Sequence, residues 1–345
     1  MSRKIQKIVI VQDRHSKIHT ALQFSFMRGF QKLGYDCDSV AFDVNLRAFR
    51  LLSAVPGLQR LFLRASQADI LKKINASNSY LVFAVKGYFF QGSTVQKLKS
   101  SGKTVICFNP DDPYSKDFGS SNDVVRSAIK DYDAYFIWSR KLVEKIKSTS
   151  NPNVFYLPFS VDDDIIKPSQ ENPADRLKQD IDVSFIGGAD KKRIELIKSV
   201  ASLLDPGIRF SVFGDNWPEI DGVVSHPAVN GQAYLDIMYR SKVNLNILRN
   251  QNVGSNNMRT FEIPATRGFM MHEYSEEAMS FFEMGKEADY YRTPEECAEK
   301  IGLYLRNESQ RIAIAEAAHK KIYDSGYLYE NLMEGLLSKL DVRGV

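Results

Sequence analysis

The chain has 345 residues, 43% of them hydrophobic and 26% charged, with a formal net charge of +4. That length exceeds one comfortable core and predicts two domains, while the small positive charge suits anionic small ligands or an anionic membrane surface and falls short of a nucleic-acid signature. The amino terminus lacks the apolar core and cleavage site of a secretory signal, no apolar run nears a membrane span, and Cys37, Cys107 and Cys297 carry no metal spacing, so a reduced, cytoplasmic protein is expected.

In chain order, Lys7–Val11 reads as a strand and Ala21–Leu33 as an amphipathic helix stopped by Gly34. Apolar strand-like runs follow near Val40 and at Tyr80–Val85, Thr104–Asn109, Ala134–Trp138 and Val154–Pro158, with helical stretches at Thr94–Lys99 and Val124–Lys130. Continuous apolar strands between helices predict a parallel sheet covered on both faces. One segment differs. F-R-L-L-S-A-V-P-G-L-Q-R-L-F-L-R-A (49–65) interleaves Arg50, Arg60 and Arg64 with Leu and Phe around a Pro-Gly break. It reads either as a helical pair packed on the domain or as a peripheral contact with a membrane or a lipid-linked substrate.

A polar, proline-bearing stretch from Asp162 to Asp180 marks a linker, and the alternation then restarts. Strands are expected at Asp182–Gly188, Arg209–Gly214, Val243–Ile247 and Phe269–His272. Helices are expected at Arg193–Leu204, at Tyr234–Tyr239 and from Arg259, and the tail from Pro294 to Leu340 is almost wholly helical in pattern. The expected architecture is α/β, with two Rossmann-like doubly wound domains facing a cleft. Their limits read as 1–165 and 166–320, with a last helix over 321–345 packing back on the first domain. Ligands of such sheets bind at the carboxyl ends of the strands.

Two stretches of the second half point to a ligand. F-I-G-G-A-D-K-K-R-I (185–194) sets Gly187 and Gly188 at a strand end and Lys191, Lys192 and Arg193 at the start of a helix. Glycines let the backbone approach a ligand, and a basic helix start favours a phosphate or diphosphate; a plain turn before a solvated helix is the alternative. The absence of G-x-G-x-x-G argues against a nicotinamide dinucleotide. R-T-F-E-I-P-A-T-R-G (259–268) follows the polar loop N-Q-N-V-G-S-N-N-M, which reads as flexible, with Ser255 or Asn256 as helix cap, free first-turn amides, and Glu262 about two turns in. An ionised carboxylate accepts two hydroxyl hydrogen bonds, so a ribose diol is a natural partner for Glu262; a surface glutamate is the alternative.

In order, Y-L-P-F-S-V-D, F-I-G-G-A-D-K-K-R, Y-R-S-K-V-N-L-N-I, R-T-F-E-I-P-A-T-R-G and F-F-E-M-G-K-E-A-D-Y-Y-R-T-P-E-E resemble the nucleotide-sugar-binding half of GT-B glycosyltransferases, in particular the CgeB-like (spore maturation protein) branch. The resemblance covers residues 150–330 and implies a metal-independent glycosyltransferase with a nucleoside-diphosphate sugar as co-substrate, no cofactor, and an unknown acceptor such as a surface polysaccharide or glycolipid. It implies that Glu262 holds the ribose, that Arg193 with Gly188 meets the diphosphate, that Asn256, Asn257 and Arg259 line the helix entrance, and that Asn246 supports that loop. Many retaining members carry a further glutamate, separated from the last one by seven residues; here the corresponding position is Gly254. That departure leaves the stereochemistry open and keeps two alternatives in view, a nucleotide-sugar epimerase and a non-enzymatic nucleotide-binding protein.

In the first half, Q-D-R-H-S-K-I-H-T (12–20) follows a strand and offers Asp13, His15 and His19; an inverting transferase needs a base for the acceptor hydroxyl, so Asp13 and His15 are candidates. N-P-D-D-P-Y-S (109–115) resembles the D-D-P-x-S loop of CgeB-like proteins and makes Asp112 a candidate, with a structural Asx turn as the alternative. No metal ligands are expected.

Overall fold

The computed structural model describes residues 7–13, 17–42, 44, 49, 51–52, 55–115, 120–166 and 179–341. They group into two compact units, residues 1–158 with 329–345, and residues 159–328.

In the first unit, β1 (Lys7–Asp13), β2 (Asp36–Phe42), β3 (Leu81–Val85), β4 (Thr104–Asn109), β5 (Ala134–Ile137) and β6 (Val154–Tyr156) form one parallel sheet in the order β2-β1-β3-β4-β5-β6. β3 and β4 are buried along their whole length, which is why their sequences are unbroken apolar runs and not alternating ones. The helices are α1 (Lys17–Lys32), α2 (Pro56–Ala76), α3 (Gly92–Ser100), α4 (Asp123–Ala128) and α5 (Arg140–Thr149). α1 begins four residues before the expected Ala21. α5 is absent from the sequence reading even though its buried Leu142 and Ile146 stand four residues apart on one face of an otherwise polar helix.

The second unit repeats the plan. β7 (Ile181–Ile186), β8 (Phe210–Phe213), β9 (Val223–His226), β10 (Ser241–Asn246), β11 (Met270–Glu273) and β12 (Asp289–Tyr291) form a parallel sheet in the order β12-β11-β10-β7-β8-β9. Its helices are α6 (Asp163–Ile166), α7 (Lys191–Leu203), α8 (Gln232–Arg240), α9 (Arg259–Ala265), α10 (Glu276–Met279), α11 (Pro294–Arg306) and α12 (Glu308–Asp324). The core gathers Val183, Phe185, Ile197, Val212, Leu245 and Met271 between sheet and helices; each such side chain contributes roughly 1.5–3 kcal/mol on burial. β9 and β12 are edge strands of four and three residues, too short to stand out in a sequence.

The chain changes units at Pro158–Phe159 and again at Leu328–Tyr329, against limits read from sequence at 165/166 and 320/321. Phe159 and Val161 are buried, and Val161 donates its amide to the Tyr327 carbonyl, which ties this end of the expected linker into the second unit. Asp163, expected in the linker, is buried and accepts the Tyr323 hydroxyl at 3.1 Å. Residues 167–178 lie outside the described residues. The last helix, α13 (Tyr329–Asp341), packs on α1, with Tyr329 edge-on to Phe26 at 5.1 Å. Cys107 and Cys297 are buried; Cys37 is half-buried, and burial with Asp36 and Asp38 nearby pushes its thiol up to about 12. No helix among the described residues is long and apolar enough to cross a membrane.

In each sheet the strand order reverses beside the first strand: β1 lies between β2 and β3, and β7 between β10 and β8. Such reversals open a crevice at the carboxyl edge. In the second unit the edge is drawn tight. A Cβ on Gly214, just after β8, would stand 2.2 Å from the Gly187 carbonyl oxygen and 2.9 Å from the Gly188 nitrogen. Both contacts are backbone and cannot yield. Gly214→Ala is therefore expected to destabilise the second unit by about 1–3 kcal/mol, the usual range for overpacking, read from the urea midpoint; an unchanged midpoint would mean that the turn relaxes freely.

Candidate functional site

The site is built at the reversal in the second sheet, where β7 runs into Gly187–Gly188 and β10 into Ile247–Arg249. Arg193 stitches the two ends together. It projects from the first turn of α7, is 3% exposed, and donates to the Gly188 carbonyl at 3.1 Å and the Ile247 carbonyl at 3.0 Å. Its Nε stands 3.5 Å from an Asp190 oxygen and makes no hydrogen bond. Asp190 also caps α7 by accepting the Arg193 amide at 3.0 Å. Burial, then Arg259 and Arg249, pull the Arg193 guanidinium down to about 9. Both of those arginines reach the same turn. A Cβ on Gly187 would lie 3.3 Å from Arg259 Nη2, and one on Gly188 would lie 3.9 Å from Arg249 Nη2. Arg259 Nε is buried with no hydrogen-bond partner.

Of the expected Lys-Lys-Arg cluster, Arg193 therefore turns inward. Lys192 binds Glu273 at 2.5 Å and the Leu248 carbonyl at 3.0 Å, and Lys191 stays in solvent, 4.0 Å from Glu195. The second oxygen of Glu273 takes the Leu248 amide at 2.9 Å, so one ion pair holds both backbone groups of the residue before Arg249.

The asparagine-rich segment, read as flexible, is anchored. Asn252, Ser255 and Asn256 are buried; Ser255 and Asn256 turn to Glu277 at 2.6 and 3.1 Å, and Asn252 binds the Asn256 carbonyl at 2.9 Å. Neither Ser255 nor Asn256 caps the helix. Asn257 does, its side-chain oxygen accepting the Thr260 amide at 3.1 Å. The amides of Phe261 and Glu262 donate to the Met258 carbonyl, so together with that of Thr260 three of the expected free donors are already used. Because the helix starts at Arg259, Glu262 lies in its first turn and not two turns in. Asn246 and Asn257 exchange hydrogen bonds of 3.1 and 2.8 Å, and Asn246 also reaches Thr260 at 3.3 Å, so Asn246 holds the helix entrance to the end of β10. Glu262 accepts the Tyr234 hydroxyl at 2.6 Å; burial raises its carboxyl, opposed by that hydrogen bond and by Arg259. Gly254 sits at φ +79°, with open space around a built Cβ. A glutamate there would be strained by the backbone and not by its neighbours.

In the first unit Asp112 makes an Asx turn, accepting the Tyr114 amide at 2.8 Å. Its neighbour Asp111 binds Lys86 at 2.6 Å; the Lys86 side chain is 1% exposed and its backbone is left-handed at φ +66°. Asp13 ends β1, but its side chain and His15 lie outside the described residues. The sequence reading missed Arg249, Tyr234, Glu273 and Lys86. Arg249 carries a usable signal, a basic residue just past a strand that borders the reversal; the others emerge only from three-dimensional contacts.

Residues 192–338 match the family model described as glycosyl transferase-like. Sucrose-phosphate synthase from Thermosynechococcus elongatus superposes with a TM-score of 0.67 at 11% identity, covering 98% of this chain and 100% of that one. Anabaena HepE in complex with UDP-glucose superposes at 0.65 and 10%, covering 97% and 99%. The fold is GT-B. A Listeria monocytogenes protein assigned as a UDP-N-acetylglucosamine 2-epimerase also superposes, at 0.60 and 9% identity, covering 98% and 96%. No curated protein matches the sequence. At these identities the likeness shows the GT-B fold alone; the family match over α7 to α13 adds support for a glycosyltransferase.

His272 connects the site to stability. It is fully buried on β11, with Nε2 3.0 Å from Thr260 Oγ1, and burial pulls it down to about 4. An unfolded histidine titrates near 6.5. As the pH falls from about 6.5 towards 4, the unfolded chain takes up a proton that the folded chain refuses, so stability is lost over that window, by up to roughly 3 kcal/mol. Urea midpoints of wild type are expected to fall across it and those of His272→Gln to fall less; parallel curves would remove His272 as the cause.

Proposed function

We propose that the chain transfers a glycosyl group from a nucleoside-diphosphate sugar to an acceptor hydroxyl, as a GT-B enzyme of the CgeB-like type. The observation that carries this reading is the convergence of Arg193, Arg249 and Arg259 on the Gly187–Gly188 turn. Like charges gathered at one turn repel, and a diphosphate relieves the repulsion while its own charge is neutralised as it leaves. Holding the diphosphate with guanidinium groups also fits a reaction that needs no divalent metal. Gly188 lets the phosphate approach, and Asn246, Asn256 and Asn257 fix the entrance that carries Arg259. Glu262, which already accepts one hydroxyl from Tyr234, is suited to a ribose hydroxyl. On the acceptor side, Asp112, Asp13 and His15 are the groups we propose for positioning or deprotonating the hydroxyl. The Listeria neighbour favours nucleotide-sugar epimerisation as a second reading, in which the donor is converted without acceptor.

Binding tests the donor site. With EDTA present, one nucleoside diphosphate among UDP, GDP, dTDP, CDP and ADP is expected to raise the melting temperature selectively; HepE's ligand makes UDP the first to try. Glu262→Ala and Arg259→Ala are each expected to weaken that nucleotide tenfold or more, about 1.4 kcal/mol. Binding should also weaken in acid as Glu262 takes up its proton, above the usual glutamate range because its carboxyl is raised. No shift with any nucleotide would sink the reading.

We also propose that the acceptor is lipid-linked and that residues 49–65 touch a membrane peripherally from the cytoplasmic side. Leu51, Val55, Leu58 and Leu61 are 77, 49, 50 and 60% exposed, in a segment with three arginines and no acidic residue. The protein is expected to float with anionic but not zwitterionic vesicles, less so in high salt, and Leu58→Ser with Leu61→Ser to lose most of the binding; equal flotation of both forms would exclude this face.

A further inference from the structure

The net charge of +4 conceals an uneven division. Residues 1–158 with 329–345 carry 26 Lys and Arg against 15 Asp and Glu, a net +11; residues 159–328 carry 20 against 27, a net −7. The positive charge at the Gly187–Gly188 turn is therefore local to a unit that is acidic as a whole. A diphosphate held there leaves the surplus of the first unit unexplained.

The topology shows where that surplus lies. From β2 through β3, β4, β5 and β6 the chain steps across the first sheet in one direction. Right-handed crossovers put the helices of those steps, α2 to α5, on one face of the sheet. α1 serves the reverse step from β1 to β2 and lies on the other face, where α13 packs on it. α2 to α5 hold 11 Lys and Arg against 3 Asp and Glu, while α1 and α13 hold 4 against 3. Two of the three acidic side chains are neutralised in place, Asp69 by Lys73 and Asp123 by Arg126. Arg64, Lys72, Lys97, Lys141 and Lys147 are exposed and form no ion pair among the described residues. Unpaired like charges gathered on one layer repel each other, and an anionic surface laid against them relieves that repulsion.

Helices packed side by side make a broad face and not a groove, which suits a flat partner better than a single polymer chain. The layer also carries the exposed Leu58 and Leu61 of α2, so it joins an apolar contact to a basic one, the two signals that peripheral membrane binding requires.

We propose that the α2–α5 layer of the first unit docks on an anionic lipid bilayer, with Lys97, Lys141 and Lys147 binding the surface alongside residues 49–65. The proposal rests on the membrane contact proposed for that segment and widens it to a whole face. The acidic second unit is repelled by the same bilayer, so the division of charge decides which unit docks. The layer covers a sheet face and leaves the strand ends open, where Lys86 and Asp111 already neutralise each other and Asp112 follows.

The test compares two triple variants of the full chain that remove the same charge from different places. One is Lys97→Gln with Lys141→Gln and Lys147→Gln in the layer. The other is Lys198→Gln with Lys286→Gln and Lys320→Gln in the second unit; all six lysines are exposed. Binding to vesicles of phosphatidylglycerol mixed with phosphatidylcholine is measured over a range of salt. A basic residue at such a surface is worth about fivefold in affinity, so the layer variant is expected to bind at least tenfold more weakly, with a shallower salt dependence. The second-unit variant is expected to stay within about twofold of wild type, because charges beyond a Debye length are screened. Equal weakening of both variants would mean that net charge alone drives binding, and would overturn the proposal. A layer variant that binds like wild type would overturn it and leave the contact through residues 49–65 standing, whereas absence of vesicle binding by wild type would remove both. Binding to inorganic polyphosphate without binding to vesicles would assign the layer to a soluble polyanion instead.

Discussion

The second unit depends on one buried cation. Arg193 takes a full charge out of water and spends its two terminal nitrogens on backbone carbonyls from the ends of β7 and β10. That fastens the two strands whose separation forms the crevice, and it fixes the Gly187–Gly188 turn. The arrangement is costly. Carbonyl dipoles compensate a buried charge less well than a carboxylate does, and Arg249 and Arg259 stand nearby with the same sign. The depressed titration of Arg193 expresses that cost, with burial as its largest cause. Replacing this arginine by an apolar side chain would remove the charge problem but leave two carbonyls unsatisfied. The local structure is therefore committed to an excess of positive charge at a strand edge, a setting whose potential favours anions.

The segment before α9 follows from the same commitment. For Arg259 to reach Gly187, the helix must start where it does, and Asn246, Asn257, Thr260 and His272 hold it there in one chain of hydrogen bonds. The cap moves to Asn257, and Ser255 and Asn256 are released to bind Glu277. Gly254 then has to turn the chain through a left-handed conformation. A glutamate, which the resembling retaining sequences carry at this position, would be strained on that backbone. Its absence here is a property of the turn, and it carries no implication for Arg259 or Glu262 four or more residues later.

Most of the architecture was legible in the sequence because the central strands are buried on both faces and announce themselves as apolar runs. β9 and β12 were not, since edge strands of three or four residues leave hardly any periodic trace; α5 was passed over although Leu142 and Ile146 mark one apolar face. The site was legible by type and less so by role. Composition and order drew attention to Gly188, Arg193 and Glu262, but a sequence does not say whether Lys192 or Arg193 turns inward. That is decided by Glu273, eighty-one residues further on. Nor does it reveal that the Thr260, Phe261 and Glu262 amides are already engaged, because a shift of one or two residues in the cap is below the resolution of local propensity.

The two carboxyl edges solve one problem in opposite ways. In the first unit the cation at the strand end, Lys86, is buried in a strained left-handed backbone and carries its carboxylate with it, Asp111 at 2.6 Å. In the second, Arg193 makes its hydrogen bonds to carbonyls, with Asp190 3.5 Å from its Nε, Glu273 also acting on it, and Arg249 and Arg259 nearby with the same charge. A neutralised edge gives a polyanion no reason to bind, and an edge with surplus positive charge does. Under the transferase reading proposed above, the diphosphate is assigned to the second unit's edge because of that surplus charge. The same fold twice over thus sets a buried cation at the end of a central strand in one unit and at the start of a helix in the other, and gives the two cations different partners.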